Sequence, residues 1–378
     1  MSQSPPPASQ PPQRILVVQP NWVGDAVMAT PTLRAMRESF PGSHISYLLR
    51  RYVKPIYEGL PWADRLITYR TGKTQAKAGK GPFDLAARLR AGKFDLAVLL
   101  PNSFKSALIC KMAGIDRIIG YERDGRGFLL TDKLLPVKEK GKYIPTPIVK
   151  YYLGLAHYLG SLHRDLKLQL FVTESEKREA QQILSRAGLD EQIERPGQAG
   201  QGGSPLIMLN PGAQYGAAKC WLPEYFAQLG DRFVEELGAT VMISAAPKER
   251  KIVDAIARKM KHAFVDLPAA GMTLGSLKEL VRRCDLMVTN DTGPRHIAAA
   301  FDVPVVTVFG PTHPEWTEIY YAKERQVAVK VFCGPCQKKT CPLDHRCMTR
   351  VTPAMVFDAG AQLLGKAPRV ATPAPAPA

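Results

Sequence analysis

The stretch "ILVVQPNWVGDAVMATPTLRAM", Ile15 to Met36, decides the fold. Four apolar residues, Ile15 to Val18, read as a strand buried on both faces. Pro20, Asn21 and Gly24 turn the chain, and a helical pattern follows near Ala26–Phe40. Strand, glycine turn and helix in this order open a βαβ unit of a parallel sheet. One acid, Asp25, stands just behind Gly24 at the strand end. A carboxylate there either caps the helix start or does chemistry, and these residues alone leave both readings open.

The alternation continues outward from that stretch. Strands are expected at Ile45–Leu49, Leu66–Tyr69, Leu96–Leu100 and Arg117–Gly120, with helices near Phe83–Gly92 and Ser103–Ala113. Helices near Val149–Leu162 and Glu174–Ala187 precede "PGQAGQGGSP", Pro196 to Pro205, whose glycines and prolines mark a linker. Beyond it the pattern restarts, with strands at Leu206–Leu209, Thr240–Ser244, Leu286–Thr289 and Val303–Phe309. The intervening helices are expected at Glu224–Leu237, Lys248–Lys261, Leu274–Cys284 and Pro294–Phe301. The fold class is therefore α/β, with two doubly wound, Rossmann-like domains facing a cleft.

Composition narrows the function classes. The chain has 378 residues and 45% hydrophobic content, with no apolar run near the roughly 18 residues of a membrane span. Its first residues lack both the basic start and the apolar core of a secretion signal, so a cytoplasmic protein is expected. The net charge is +17, and residues 1–150 carry most of it, with 24 Lys and Arg against 11 Asp and Glu. Residues 44–93 hold 11 bases and 3 acids, and the loop Thr68 to Gly81 is basic and expected to be mobile. Such a face is either merely solvated or meets a polyanion, whether nucleic acid or an anionic membrane. Aromatics are sparse among these bases and no nucleic-acid module is recognisable, so no nucleic-acid partner is expected.

Cys333, Cys336, Cys341 and Cys347 cluster in "CGPCQKKTCPLDHRC". Four thiols so close are able to hold zinc or an iron–sulfur cluster, but the spacing is not a standard finger or ferredoxin run. A reduced loop is expected ahead of a structural metal. No G-x-G-x-x-G follows any strand, which counts against a dinucleotide enzyme. No Asp-x-Asp pair stands at a strand end to hold a cation.

Two strand ends in the second half suit an anionic ligand. In "VTNDTGPRHIAAA", Asp291 or Thr292 caps a helix, Gly293 lets a phosphate approach the backbone, and His296 sits one turn in. In "LNPGAQYGAAKCW", Pro211, Gly212 and Ala213 make a tight turn, and Lys219 follows with a charge suited to a diphosphate. Each alone also reads as ordinary structure: a capped helix with a core histidine, and a surface lysine.

Taken together, "NWVGDAVMATPTLRAM", "PNSFKSAL", "NPGAQYGAAKCW" and "TNDTGPRHIAAA" resemble the lipopolysaccharide heptosyltransferase family, glycosyltransferase family 9, and its type II members most. The similarity runs over most of residues 14–365. It implies a GT-B glycosyltransferase fold and an inverting, metal-independent enzyme needing no cofactor. That enzyme would move heptose from ADP-heptose to the first heptose of the lipopolysaccharide inner core. By position, Asp25 matches the family's general base and Lys219 its contact to the donor phosphates. Asp291, Thr292, Gly293 and His296 match the loop that holds the donor, with Pro211, Gly212 and Ala213 beside it. Arg295 stands where related sequences often carry Met or another apolar residue. Candidate acceptor contacts are Asn21, Trp22, Gly24, Arg50, Arg51, Lys54, Asn102, Ser103 and Lys105.

The expected organisation is a tail at 1–13, an acceptor domain at 14–190, a linker at 191–205 and a nucleotide-sugar domain at 206–350. A helix at 351–365 would cross back onto the first domain, followed by a second tail at 366–378. The resemblance further implies a monomer bound peripherally to the cytoplasmic face of the inner membrane, where a Kdo-lipid A acceptor lies. The alternatives are a family member with another acceptor position or nucleotide sugar, and a non-catalytic polyanion-binding protein.

Overall fold

The structure is a computed structural model that describes residues 11–69, 81–189 and 204–366. The expected tails, the linker and the basic loop 68–81 lie wholly or largely outside the described residues. The chain divides into two compact units. Unit one holds residues up to Thr173 together with His313–Tyr320, and unit two holds Glu174–Thr312 and the residues from Tyr321 onward.

Unit one is built on six parallel strands: β1 (Arg14–Val18), β2 (His44–Arg50), β3 (Arg65–Tyr69), β4 (Leu96–Leu99), β5 (Arg117–Tyr121) and β6 (Asp132–Leu134). They lie in the order β3-β2-β1-β4-β5-β6. Ile15 pairs with Ile45 on one side and Leu96 on the other, so β1 and β4 flank the point where the winding reverses. Helices α1 (Val23–Met28), α2 (Thr30–Ser39), α3 (Lys54–Tyr57), α4 (Pro82–Arg90), α5 (Phe104–Met112) and α6 (Ile148–Tyr158) belong to the same unit. A short antiparallel hairpin, β7 (Lys138–Glu139) with β8 (Lys142–Tyr143), follows β6. The single helix expected over residues 26–40 is two helices. Pro31 has no N–H to give the Val27 carbonyl, and the Thr30 hydroxyl bonds that carbonyl at 2.7 Å instead.

Unit two repeats the plan with β9 (Leu206–Asn210), β10 (Thr240–Ile243), β11 (Val265–Asp266), β12 (Leu286–Asn290), β13 (Val305–Val308) and β14 (Glu324–Val327). Their order is β11-β10-β9-β12-β13-β14, again all parallel. Its helices are α7 (Glu174–Arg186), α8 (Pro223–Leu237), α9 (Arg250–Ala257), α10 (Leu274–Arg282), α11 (Gly293–Ala300), α12 (Arg346–Thr349) and α13 (Pro353–Leu363). Every residue of β9 and of β12 is buried, as the central strands of a sheet covered on both faces require.

The expected domain limits change at two helices. α7 does not extend the first domain to residue 190. It packs on α10, where Glu176 meets the fully buried Lys278 at 2.9 Å. The apolar face of α13 is part of the unit-two core. Phe357 lies 5.2 Å from Phe233, centroid to centroid, and a side chain at Gly360 would strike Leu286. The residues just before it are tied in as well, since the Trp221 indole donates to the Val351 carbonyl at 2.8 Å.

Candidate functional site

The motifs singled out in the sequence follow β1, β4, β9 and β12, the two strands flanking the switch point of each sheet. Loops leaving the carboxyl ends of these strands are where doubly wound sheets bind ligands.

In unit two, buried amides set the geometry. Asn290 at the end of β12 donates to the Pro211 carbonyl at 2.7 Å and accepts from the Trp221 N–H at 3.0 Å. Asn210 at the end of β9 donates to Thr289 and accepts from Ser244, both at 3.1 Å. These bonds hold the Pro211–Ala213 turn and the Lys219 segment against the start of α11. Lys219 Nζ lies 2.5 Å from Asp291 Oδ2 and 2.9 Å from the Asp291 carbonyl. Thr312 donates to the same carboxylate at 2.9 Å, and Arg295 stands 3.5 Å from its other oxygen. Burial alone would raise the Asp291 carboxyl, but the charges of Lys219 and Arg295 outweigh it and hold it below the usual range. Asp291 is thus an anion that fixes Lys219, with three donors on it already.

Thr292 is the N-cap of α11, yet its side chain makes no capping hydrogen bond. No side chain of the N-cap thus occupies the positive end of the helix dipole. His296 is buried, and burial followed by the charge of Arg295 drives its pKa down to about 3. It is a neutral ring inside the helix packing, with Nδ1 buried and unpartnered, and is not placed as a charged donor. Arg295, unexplained by the sequence, is fully buried and grips Glu324 through two bonds of 2.6 and 2.8 Å. That partner comes from β14, an edge strand with no sequence signal.

Glu249 escaped the sequence reading. It stands against Gly212, where a Cβ would overlap its carboxylate, and it accepts from the Ala246 N–H at 2.9 Å. Burial raises its pKa, partly offset by hydrogen bonds from Ala246 and Ala213.

The four clustered cysteines are free thiols that, with His345, line one cavity. Burial and the three neighbouring thiols raise the Cys347 pKa. No group of three or more His, Cys, Asp or Glu suited to a metal ion is found among the described residues. The loop instead braces the residues before Lys219. Ala218 donates to the Lys339 carbonyl at 3.0 Å, His345 Nε2 donates to the Ala218 carbonyl at 2.9 Å, and Tyr215 donates to the Gln337 carbonyl at 2.6 Å. Gly216 is required there, since a Cβ would lie 2.3 Å from the Lys339 oxygen.

In unit one, Asp25 sits half-buried in the first turn of α1, behind the exposed N-cap Trp22. Tyr57 and Tyr152 are buried near it, and burial and then neighbouring charge, Asp25 included, raise both hydroxyls. Asn21 Oδ1, Arg50 Nε and the Tyr57 hydroxyl are buried without a hydrogen-bond partner among the described residues. Asn21 follows β1, Arg50 ends β2 and Tyr57 ends α3. Other acceptor candidates divide. Lys54 pairs with Glu58, and the Ser103 hydroxyl accepts from the Ser106 N–H as the cap of α5. Asn102 is oriented by the Tyr151 hydroxyl at 3.1 Å and by Arg126, while Arg51 and Lys105 are exposed. Arg126 itself was missed: it is fully buried and bonds the Tyr121 and Pro101 carbonyls at 3.1 and 2.5 Å.

Residues 83–346 match glycosyltransferase family 9 (heptosyltransferase). The chain belongs to that family. This family 9 glycosyltransferase is 30% identical to lipooligosaccharide heptosyltransferase 2 of Haemophilus ducreyi, over 80% of this chain and 85% of the relative. It is 28% identical to lipopolysaccharide heptosyltransferase 2 of Salmonella typhimurium, over 91% and 97%. The solved structure of Escherichia coli ADP-heptose lipopolysaccharide heptosyltransferase II superposes with a TM-score of 0.73 at 27% identity, covering 93% of this chain and 98% of that one. The family 9 enzyme thus has the GT-B-type architecture of these transferases.

Proposed function

We propose that this glycosyltransferase moves heptose from ADP-heptose to the first heptose of the lipopolysaccharide inner core, with inversion and without a metal. The observation that carries this reading is Lys219, held by Asp291 at the start of α11. A fixed ammonium beside a helix N-terminus offers the positive charge that a departing diphosphate needs, in place of a divalent cation. Glu249, at the Pro211–Ala213 turn, offers a carboxylate to hydroxyl donors of the nucleotide.

Inversion requires a base to take the proton of the acceptor hydroxyl. As that oxygen bonds to the anomeric carbon, the carbon–oxygen bond to the diphosphate breaks and ADP carries away the electron pair. Asp25 is the proton acceptor in this scheme, with Asn21, Arg50 and Asn102 positioning the acceptor sugar. The strongly basic first 150 residues suit a phosphorylated lipid acceptor at the cytoplasmic face of the inner membrane.

The test is heptose transfer to a truncated lipopolysaccharide ending in its first heptose, with EDTA present, for the parent and Asp25→Asn. We expect turnover in the parent and a loss of about 10³-fold or more in the variant with donor binding kept. A parent inactive with this pair but active on another acceptor or nucleotide sugar would overturn the substrate assignment. An Asp25→Asn enzyme as active as the parent would reduce Asp25 to a helix residue.

A further inference from the structure

The β7–β8 hairpin of unit one has two unlike faces. Lys138 pairs with Tyr143 and Glu139 with Lys142, and the Ile144 N–H donates to the Val137 carbonyl at 3.2 Å. Alternation puts Lys138 and Tyr143 on one face, where the tyrosine ring lies 4.0 Å from the Arg123 guanidinium and 4.8 Å from Lys138 Nζ. The tyrosine ring is thus covered within the unit. Val137 and Ile144 take the opposite face, which Glu139 and Lys142 share, and Leu135 stands just before it, 66% exposed, with Val137 61% exposed. A two-stranded hairpin this short is marginal by itself, so uncovered aliphatic side chains on it are costly unless something covers them. Between residues 133 and 144 the sequence holds Lys133, Lys138, Lys140 and Lys142 against one acid, Glu139.

Resting on the lipid-linked acceptor proposed above, we infer that this hairpin seats the enzyme on an anionic bilayer, its aliphatic face entering the headgroup layer and its lysines meeting lipid phosphates. Charge decides between occupants. A second copy of the chain would set two patches of net positive charge against each other. A nucleic acid would satisfy the lysines but offer nothing to Leu135, Val137 and Ile144. An anionic membrane surface answers both, through burial of apolar side chains and attraction to juxtaposed basic ones.

The test uses the full chain in co-sedimentation with vesicles of phosphatidylglycerol and phosphatidylcholine in equal parts, and with vesicles of phosphatidylcholine alone. The parent is expected on the anionic vesicles only. Leu135→Ser with Val137→Ser, and separately Lys138→Gln with Lys140→Gln and Lys142→Gln, should each lower the partition about tenfold or more. Leu162→Ser, at a still more exposed leucine outside the hairpin, should leave it unchanged. Heptose transfer to a deacylated, water-soluble acceptor should be the same in all variants. Hairpin variants that bind like the parent, or a parent that ignores anionic vesicles, would overturn the inference. So would sedimentation velocity showing a dimer that the serine variants dissociate while vesicle binding persists. Failure of transfer with undiminished, hairpin-dependent vesicle binding would instead sink the substrate assignment and leave the docking surface standing.

Discussion

Lys219 Nζ lies 2.5 Å from Asp291 Oδ2, an ion pair in which both side chains are nearly buried. Buried pairs of this kind return little net stability, because desolvating two charges costs about what their attraction gives back. In the reaction proposed above, its value lies in holding an ammonium at the start of α11. Preorganised charge needs no rearrangement when the leaving group departs.

Replacing Lys219 with Gln should therefore damage catalysis more than folding. Asp291 keeps Arg295 and Thr312 as partners, so the variant should fold. Steady-state kinetics should show kcat lowered about 10²- to 10³-fold. An unchanged kcat with only a raised donor KM would mean that Lys219 serves binding alone.

The brace under Lys219 makes a separate prediction. His345→Ala removes the donor to the Ala218 carbonyl, a loss of about 1 kcal/mol in stability. Because Ala218 adjoins Lys219, donor KM and kcat should both worsen, by about 10-fold or less, while vesicle binding stays at the parent level. Parent-like kinetics at a lowered melting temperature would make the histidine purely structural.

Arg295 and Glu324 should behave as a unit. Glu324→Gln strips a fully buried guanidinium of its bidentate partner and should cost about 3–5 kcal/mol in urea unfolding. Arg295→Met combined with Glu324→Leu removes both charges and should recover most of that loss. A double variant as unstable as the single one would show that packing, not charge pairing, dominates here.

His296 gives the protein an acid-sensitive stability. Its folded pKa, about 3, lies below the ordinary histidine value. The unfolded chain therefore binds the proton first, and stability is full above roughly pH 6.5 and falls progressively toward pH 3. Asp291, held low by Lys219 and Arg295 against its burial, adds a loss in the same direction at lower pH. Urea midpoints at pH 7.5 and 5 should drop less in His296→Gln than in the parent. Equal drops would assign the acid sensitivity elsewhere.

Phe357→Ala tests where the last helix belongs. Its ring packs on Phe233 and under the Arg232 guanidinium, 4.0 Å away. Removing it from this core should cost about 3–5 kcal/mol. A loss under 1 kcal/mol would remove the helix from the unit-two core.

Sequence alone determined the two-fold βαβ plan, because the central strands of a parallel sheet must be apolar on both faces. Ile15–Val18, Leu96–Leu100, Leu206–Leu209 and Leu286–Thr289 all announce that burial locally. The same strands flank the switch points, so the loops worth reading were legible too. Three edge strands were not: β6, β11 and β14 are short or polar and owe their form to a neighbour's hydrogen bonds, whereas the edge strand β3 was read at 66–69. Tertiary structure alone decided which side chains are partners. Nothing local says that Glu324 meets Arg295, that Glu249 lies against Gly212, or that His345 supports the residue before Lys219. Nor does the periodicity of α7 and α13 say which core receives their apolar faces. Periodicity records that a face must be buried; only the packing of distant elements selects what buries it.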